Sequence, residues 1–202
     1  MIRAIVFDWG GVLVVNTVSQ MILSAADHLG VAYEKLTGEM RQHLVSDFSK
    51  GIISEDEFWG HICDAMSVGR PRVPSLWKQV MMTYYVEQQD VFDLVTRLKT
   101  TGYKIGLLSN TEMPVVELFD ELGYNQFDAT IFSCKEGVCK PDRKMYQIAC
   151  QRLDVQPRET VFIDDKEENV RGARNAGLHA ILFVSPEQIR KELALIIAKE
   201  ND

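Results

Sequence analysis

Ile2-Arg3-Ala4-Ile5-Val6-Phe7-Asp8-Trp9-Gly10-Gly11-Val12-Leu13 opens as a short β-rich apolar run and stops on a carboxylate and a pair of glycines. Comparable runs recur at residues 104–108, 129–132, 160–163 and 180–184. Their apolar character is largely unbroken, as in strands covered on both faces. Between the later runs, residues 112–122, 143–153, 167–176 and 186–199 carry helical periodicity. Strand and helix signals in alternation predict an α/β fold, a parallel sheet flanked by helices.

Residues 14–87 break the alternation. They read as one helix after another, at 18–29, 33–45, 55–66 and 75–85. Gly30 closes the first, and Ser54-Glu55-Asp56-Glu57 has the spacing of a capping box at the start of the third. Pro71 and Pro74 punctuate the approach to the last. The expectation is a small helical unit inserted after the first strand.

The 202 residues are 46% hydrophobic and 25% charged, the balance of a soluble globular domain and not of a disordered, fibrous or membrane-spanning chain. A formal net charge of −7 disfavours nucleic acid as a partner, since such binders present a net basic face. No apolar stretch approaches the roughly 20 residues that cross a bilayer. The N-terminal run reaches an acid too soon for a signal peptide. Cys63, Cys134, Cys139 and Cys150 form no C-x-x-C pair and lack histidines at zinc-ligand spacing. Reduced thiols in a cytoplasmic protein are the expectation.

Ligands of open parallel sheets bind beyond the carboxyl ends of the strands, so the residues just past each run carry the functional signal. Asp8 ends the first run and Ser109-Asn110-Thr111 the second. The third leads through Ser133 to Lys140-Pro141-Asp142, and the fourth ends in Asp164-Asp165 with Asn169 close behind. Each has an ordinary reading: turn or cap residues, a solvated lysine, an acidic pair facing a helix dipole. Those readings do not explain why three carboxylates, a hydroxyl and a lysine converge on one sheet edge. Carboxylates so gathered repel one another unless a cation lies among them. A serine and a lysine supply what a bound phosphate needs.

In order along the chain, these blocks resemble the haloacid dehalogenase superfamily of hydrolases with a helical cap inserted after the first motif. The matching segments are Phe7-Asp8-Trp9-Gly10-Gly11-Val12-Leu13, Leu108-Ser109-Asn110-Thr111, Gly137-Val138-Cys139-Lys140-Pro141-Asp142, and Phe162-Ile163-Asp164-Asp165 with Asn169-Val170-Arg171-Gly172-Ala173. Gly51-Ile52-Ile53-Ser54-Glu55-Asp56-Glu57-Phe58 resembles a cap segment of the same group. The nearest likeness is to bacterial sugar-phosphate phosphatases of the glucose-1-phosphate type.

The resemblance implies a Rossmann-like sheet of order 3-2-1-4-5, with residues 1–13 and 88–202 as the core and 14–87 as the cap. It implies hydrolysis of a small phosphorylated metabolite, a sugar phosphate by the nearest likeness, through an aspartyl-phosphate on Asp8. Mg²⁺ would be held by Asp8, Asp165, the Gly10 carbonyl, and Asp164 directly or through water. Ser109 and the Asn110 backbone would bind the phosphoryl oxygens, Lys140 would neutralise their charge, and Asn169 would orient Lys140 or the acidic pair. The cap would read the leaving group, with Trp9, Asn16, His43, Phe48, Lys50 and Trp59 as candidate contacts. For Trp59 core packing is the plainer reading, and for His43 and Lys50 solvation is.

The pattern departs at Gly10. Phosphatases of the superfamily usually carry an Asp there, which protonates the leaving oxygen and later activates water. Such acid–base help is worth roughly 10²–10⁴-fold. Dehalogenase members lack that acid, but they also do without a metal site. Phosphonate-cleaving members lack it too and use a cap lysine, for which Lys35, Lys50 and Lys78 are the candidates. A further alternative is a scaffold that binds a phospho-ligand or a protein without turnover.

Overall fold

The computed structural model describes residues 1–41 and 44–201. Five strands form one parallel sheet: β1 (Ala4–Phe7), β2 (Lys104–Ser109), β3 (Ala129–Phe132), β4 (Thr160–Asp164) and β5 (His179–Leu182). Their order is β3-β2-β1-β4-β5, as expected. In register, Phe7 lies opposite both Leu107 and Ile163, and Ser109 opposite Phe132. Asp8 therefore emerges level with Asp164, with Ser109 one residue further along the neighbouring strand.

The helices that belong to the sheet are α6 (Gln89–Thr100), α7 (Met113–Leu122), the short α8 (Ser133–Glu136), α9 (Arg143–Arg152), α10 (Glu167–Asn175) and α11 (Pro186–Asn201). Alternate side chains of β1 face opposite ways, as the pleat requires. Ile5 and Phe7 pack with residues of α6, α7 and α11, while Ala4 and Val6 pack with α9 and α10. The sequence reading has no helix at α6, although its buried Val91, Leu94, Val95 and Leu98 carry helical spacing. It also places the last strand at 180–184, whereas β5 stops at Leu182 and Val184 is 74% exposed. The chain leaves the sheet there, after Phe183 donates its N–H to the Asp164 carbonyl.

The inserted segment holds α1 (Val18–Leu29), α2 (Tyr33–Arg41), α3 (Leu44–Ser49), α4 (Glu55–Met66) and α5 (Leu76–Thr83). The helix expected over 33–45 corresponds to α2 and the start of α3, with 42–43 outside the described residues. Ser54 forms its capping box: its Oγ accepts from Glu57 N at 3.2 Å, and Glu57 Oε2 accepts from Ser54 N at 2.8 Å. Leu36, Phe58 and Ile62 are wholly buried, and Phe48 stacks on Phe58 at 4.5 Å between ring centres. The chain enters and leaves this segment at one place. Val14 bridges Glu87 in antiparallel fashion, and the Gln88 side-chain amide donates to the Val12 carbonyl at 2.9 Å. Among the described residues, no helix is long and apolar enough to cross a membrane.

Candidate active site

Asp8 follows β1 directly and is 6% exposed. Its Oδ1 accepts from its neighbour's backbone, Trp9 N, at 2.7 Å and from Lys140 Nζ at 2.7 Å. The same Nζ donates to Asp164 Oδ2 at 2.7 Å and to the Leu108 carbonyl at 2.9 Å. Three acceptors meet the three N–H bonds of one ammonium, so Lys140 is held without slack. Burial alone would lower its pKa, but the Asp8 and Asp164 carboxylates outweigh it and hold the ammonium above its usual value. Burial pushes Asp8 the other way, up to about 7, with Lys140 pulling down and Asp164 pushing up.

Asn110 fixes Lys140 from the backbone side. Its Oδ1 accepts from Lys140 N at 2.7 Å, and its Nδ2 donates to Lys140 O at 2.9 Å. The sequence reading considers only the Asn110 backbone; this side-chain clamp has no local signal, because its partner lies 30 residues away. Asn169, on α10, donates from Nδ2 to both oxygens of Asp164 at 3.0 Å. Lys166 N adds a bond to Asp164 Oδ1 at 2.9 Å. Asp164 is thus saturated with donors.

Asp165 differs. Its Oδ1 is buried with no hydrogen-bond partner. Burial and the neighbouring Asp164 raise its pKa, while Lys166 and Asn16 oppose the rise. Oxygens of Asp8, Asp164 and Asp165 lie within 4.8 Å of one another. An orphaned carboxylate oxygen in such a cluster suits a hard divalent cation. Gly11 makes room for it: φ is +92°, and a Cβ would collide with the Asp165 carboxylate. At Gly10 a Cβ would meet nothing within 4 Å.

Ser109 closes β2 and is buried. Beyond it lies a network the sequence reading misses, centred on Glu112. Its Oε1 accepts from Ser49 Oγ at 2.7 Å and its Oε2 from Trp77 Nε1 at 3.1 Å, both on inserted helices. Burial raises the Glu112 pKa against the pull of those two bonds. Ser133 Oγ donates to the Ser49 carbonyl at 2.6 Å and accepts from Thr111 N at 2.8 Å. The segment around Ser49 is thus tied to the loop that carries Ser109 and Asn110.

The remaining candidate contacts divide. Trp9 borders the cavity above the strand ends, but its indole packs among Tyr85, Phe92, Phe119 and Tyr124 at 5.3–6.5 Å between ring centres. Phe48 and Trp59 are buried, and Trp59 Nε1 donates within its own helix to Glu55 at 3.0 Å. Lys50 is half-buried near Cys139. His43 lies outside the described residues.

Acyl-CoA dehydrogenase family member 10 of Mus musculus is 29% identical over 203 residues, covering 96% of this chain, which spans only 19% of that protein's length. A sesquiterpene phosphatase of Aspergillus oryzae is 27% identical over 179 residues, covering 87% of each chain. A magnesium complex of a haloacid dehalogenase-family enzyme from Bacteroides thetaiotaomicron has the same fold, with a TM-score of 0.76 at 22% identity over 90% of this chain and 93% of its own. Residues 2–177 match the haloacid dehalogenase-like hydrolase family as a whole. The chain belongs to the haloacid dehalogenase-like hydrolases.

Proposed function

We propose that the chain hydrolyses phosphomonoesters of small metabolites, using Mg²⁺ and an aspartyl-phosphate on Asp8. The observation that carries this reading is the trio of carboxylates within 4.8 Å of one another, one of them with a buried oxygen that nothing satisfies. Dehalogenation needs an attacking carboxylate but no such cluster. Because Asp164 already accepts from Lys140, Asn169 and Lys166, the cation would be held directly by Asp8, Asp165 and the Gly10 carbonyl, and by Asp164 through water. Bound there, Mg²⁺ supplies positive charge beside the phosphoryl oxygens.

With Oδ1 held by Lys140 and Trp9 N, Asp8 presents Oδ2 to phosphorus. That oxygen attacks, the ester P–O bond breaks, and the leaving oxygen takes up a proton. Water then attacks phosphorus, releasing inorganic phosphate and restoring Asp8. Ser109 and the Asn110 N–H bind phosphoryl oxygens, and Lys140 offsets the charge growing on them. In this reading residues 1–13 and 88–202 form the catalytic core, and 14–87 form the cap that excludes water.

Turnover of p-nitrophenyl phosphate is expected to require Mg²⁺ and to vanish in excess EDTA. Metal-free Asp8 keeps its proton up to about pH 7, and a dication binding there displaces it. Mg²⁺ affinity is therefore expected to weaken as pH falls below about 7. Calorimetric titrations near pH 6 in two buffers of different ionisation heat read the released proton. Identical heats in both would remove Asp8 from the metal site.

Gly10→Asp places a carboxylate into open space beside the reacting groups. Alkyl phosphates, whose leaving oxygen needs a proton, are expected to gain at least about tenfold in kcat, part of the roughly 10²–10⁴ that acid–base catalysis supplies. p-Nitrophenyl phosphate should gain little in its first step. A folded variant that binds Mg²⁺ but gains nothing on alkyl phosphates would show that the proton comes from another group.

A further inference from the structure

A cavity of about 660 Å³ rises from the carboxyl ends of the strands into the inserted helices. Its floor includes Gly10, Ser109 and Asn110, the residues placed around the phosphoryl group under the proposed function, on which this inference rests. The walls are mainly apolar. Met21, Ile22, Met40, Trp77 and Met81 come from the insertion and Val115 from α7.

Several polar groups facing the cavity are engaged already. Thr37 Oγ1 donates to the Glu34 carbonyl of its own helix at 3.0 Å. Ser49 Oγ and Trp77 Nε1 both donate to Glu112, at 2.7 and 3.1 Å, which occupies both Glu112 oxygens as well. Exposed Ser19 and Ser46, half-buried Tyr33 and buried Thr111 are the remaining hydroxyls of the lining. Among the described lining residues, Lys166 beside the floor is the only cationic side chain.

We infer that the substrates are monophosphates of apolar alcohols, with an alkyl chain or hydrophobic ring system lying in this cavity. A sugar would surrender the water bonds of several hydroxyls and find few groups free to replace them, a loss that apolar contact does not repay. A chain of methylenes loses nothing polar and gains with every carbon buried. The single lysine leaves a second phosphate or carboxylate without a partner, which restricts the class to monophosphates. The size of the cavity falls within the ordinary range for small-molecule sites.

The test is a series of primary alkyl phosphates from ethyl to octyl, with glucose 6-phosphate as a polar comparator that is also an ester of a primary alcohol. For wild type, kcat/KM is expected to rise about fourfold per methylene until the cavity fills, mostly through KM. Glucose 6-phosphate should lie near or below ethyl phosphate. Ile22→Arg, on a half-buried wall position, should flatten the gradient. A flat series in wild type, or preference for the sugar phosphate, would overturn this inference while Asp8-dependent hydrolysis of p-nitrophenyl phosphate left the phosphatase reading standing. Absence of any Asp8-dependent phosphatase activity would remove both.

Discussion

Asp8→Asn is expected to lower turnover of p-nitrophenyl phosphate by at least about 10⁴-fold, the scale on which removing a nucleophile silences a catalytic unit. The fold should survive. Asparagine keeps an oxygen able to accept from Trp9 N and Lys140 Nζ, and Lys140 retains its second carboxylate, Asp164. Stability adds a separate signature. The Asp8 pKa is raised in the folded protein from 3.8 to about 7, so its contribution favours folding at low pH and is lost as pH rises through about 7. Metal-free wild type should therefore weaken across that window more than the Asn variant, in which Asp165 and Glu112 still carry raised pKa values. Above it the variant should be at least as stable as wild type. Wild-type turnover by a folded Asp8→Asn protein would end the mechanism.

Lys140→Ala is expected to damage both fold and chemistry. The lysine side chain is 1% exposed and is the cation shared by Asp8 and Asp164. Above about pH 7, where metal-free Asp8 is ionised, its removal leaves two buried carboxylates facing each other, and stripping one partner from a buried ion pair typically costs about 3–5 kcal/mol. Denaturation in EDTA should show that loss, and added Mg²⁺ should recover part of it by returning positive charge to the cluster. In Mg²⁺, kcat should fall by roughly 10²–10³ on every substrate, because Lys140 acts on the phosphoryl group that all of them share. A loss confined to some substrates would move Lys140 to leaving-group recognition. Unchanged stability in EDTA would mean that the two acids do not ionise together.

The fold was legible because its signals are local. Unbroken apolar runs such as 160–163 mark strands buried on both faces, and three of the five lead directly into Asp8, Ser109 or Asp164. The acidic pair, Ser109 and Lys140 could be read from their places after strands, since a parallel sheet brings such places together whatever the loops between them do. The helix at α6 escaped even though its periodicity is clear, because it comes directly after the inserted helices and no strand announces it. The clamp of Asn110 on Lys140 and the double hold of Glu112 on Ser49 and Trp77 could not be read. Each joins residues at least 30 apart through a side chain whose type alone suggests a surface polar group. The apolar cavity walls were hidden for a similar reason. Met21, Met40 and Met81 look like helix-core residues, and only packing shows that they border open space.

Val14 and Glu87 face each other as partners of an antiparallel bridge, so everything from 15 to 86 is, for the sheet, one loop with its ends already tied. Doubling the length of such a loop costs only about 0.6 kcal/mol in closure entropy. A two-residue turn would suffice to rejoin the strand partners if the loop were removed. The acids, Ser109, Asn110 and Lys140 all lie outside it. Selection can therefore change the length of this loop without moving a strand register, provided the ties of Ser49 and Trp77 to Glu112 and of Ser49 to Ser133 are kept or replaced. Under the proposed function, substrate range and chemical competence then sit largely on different pieces of chain, and the first can drift while the second stays fixed.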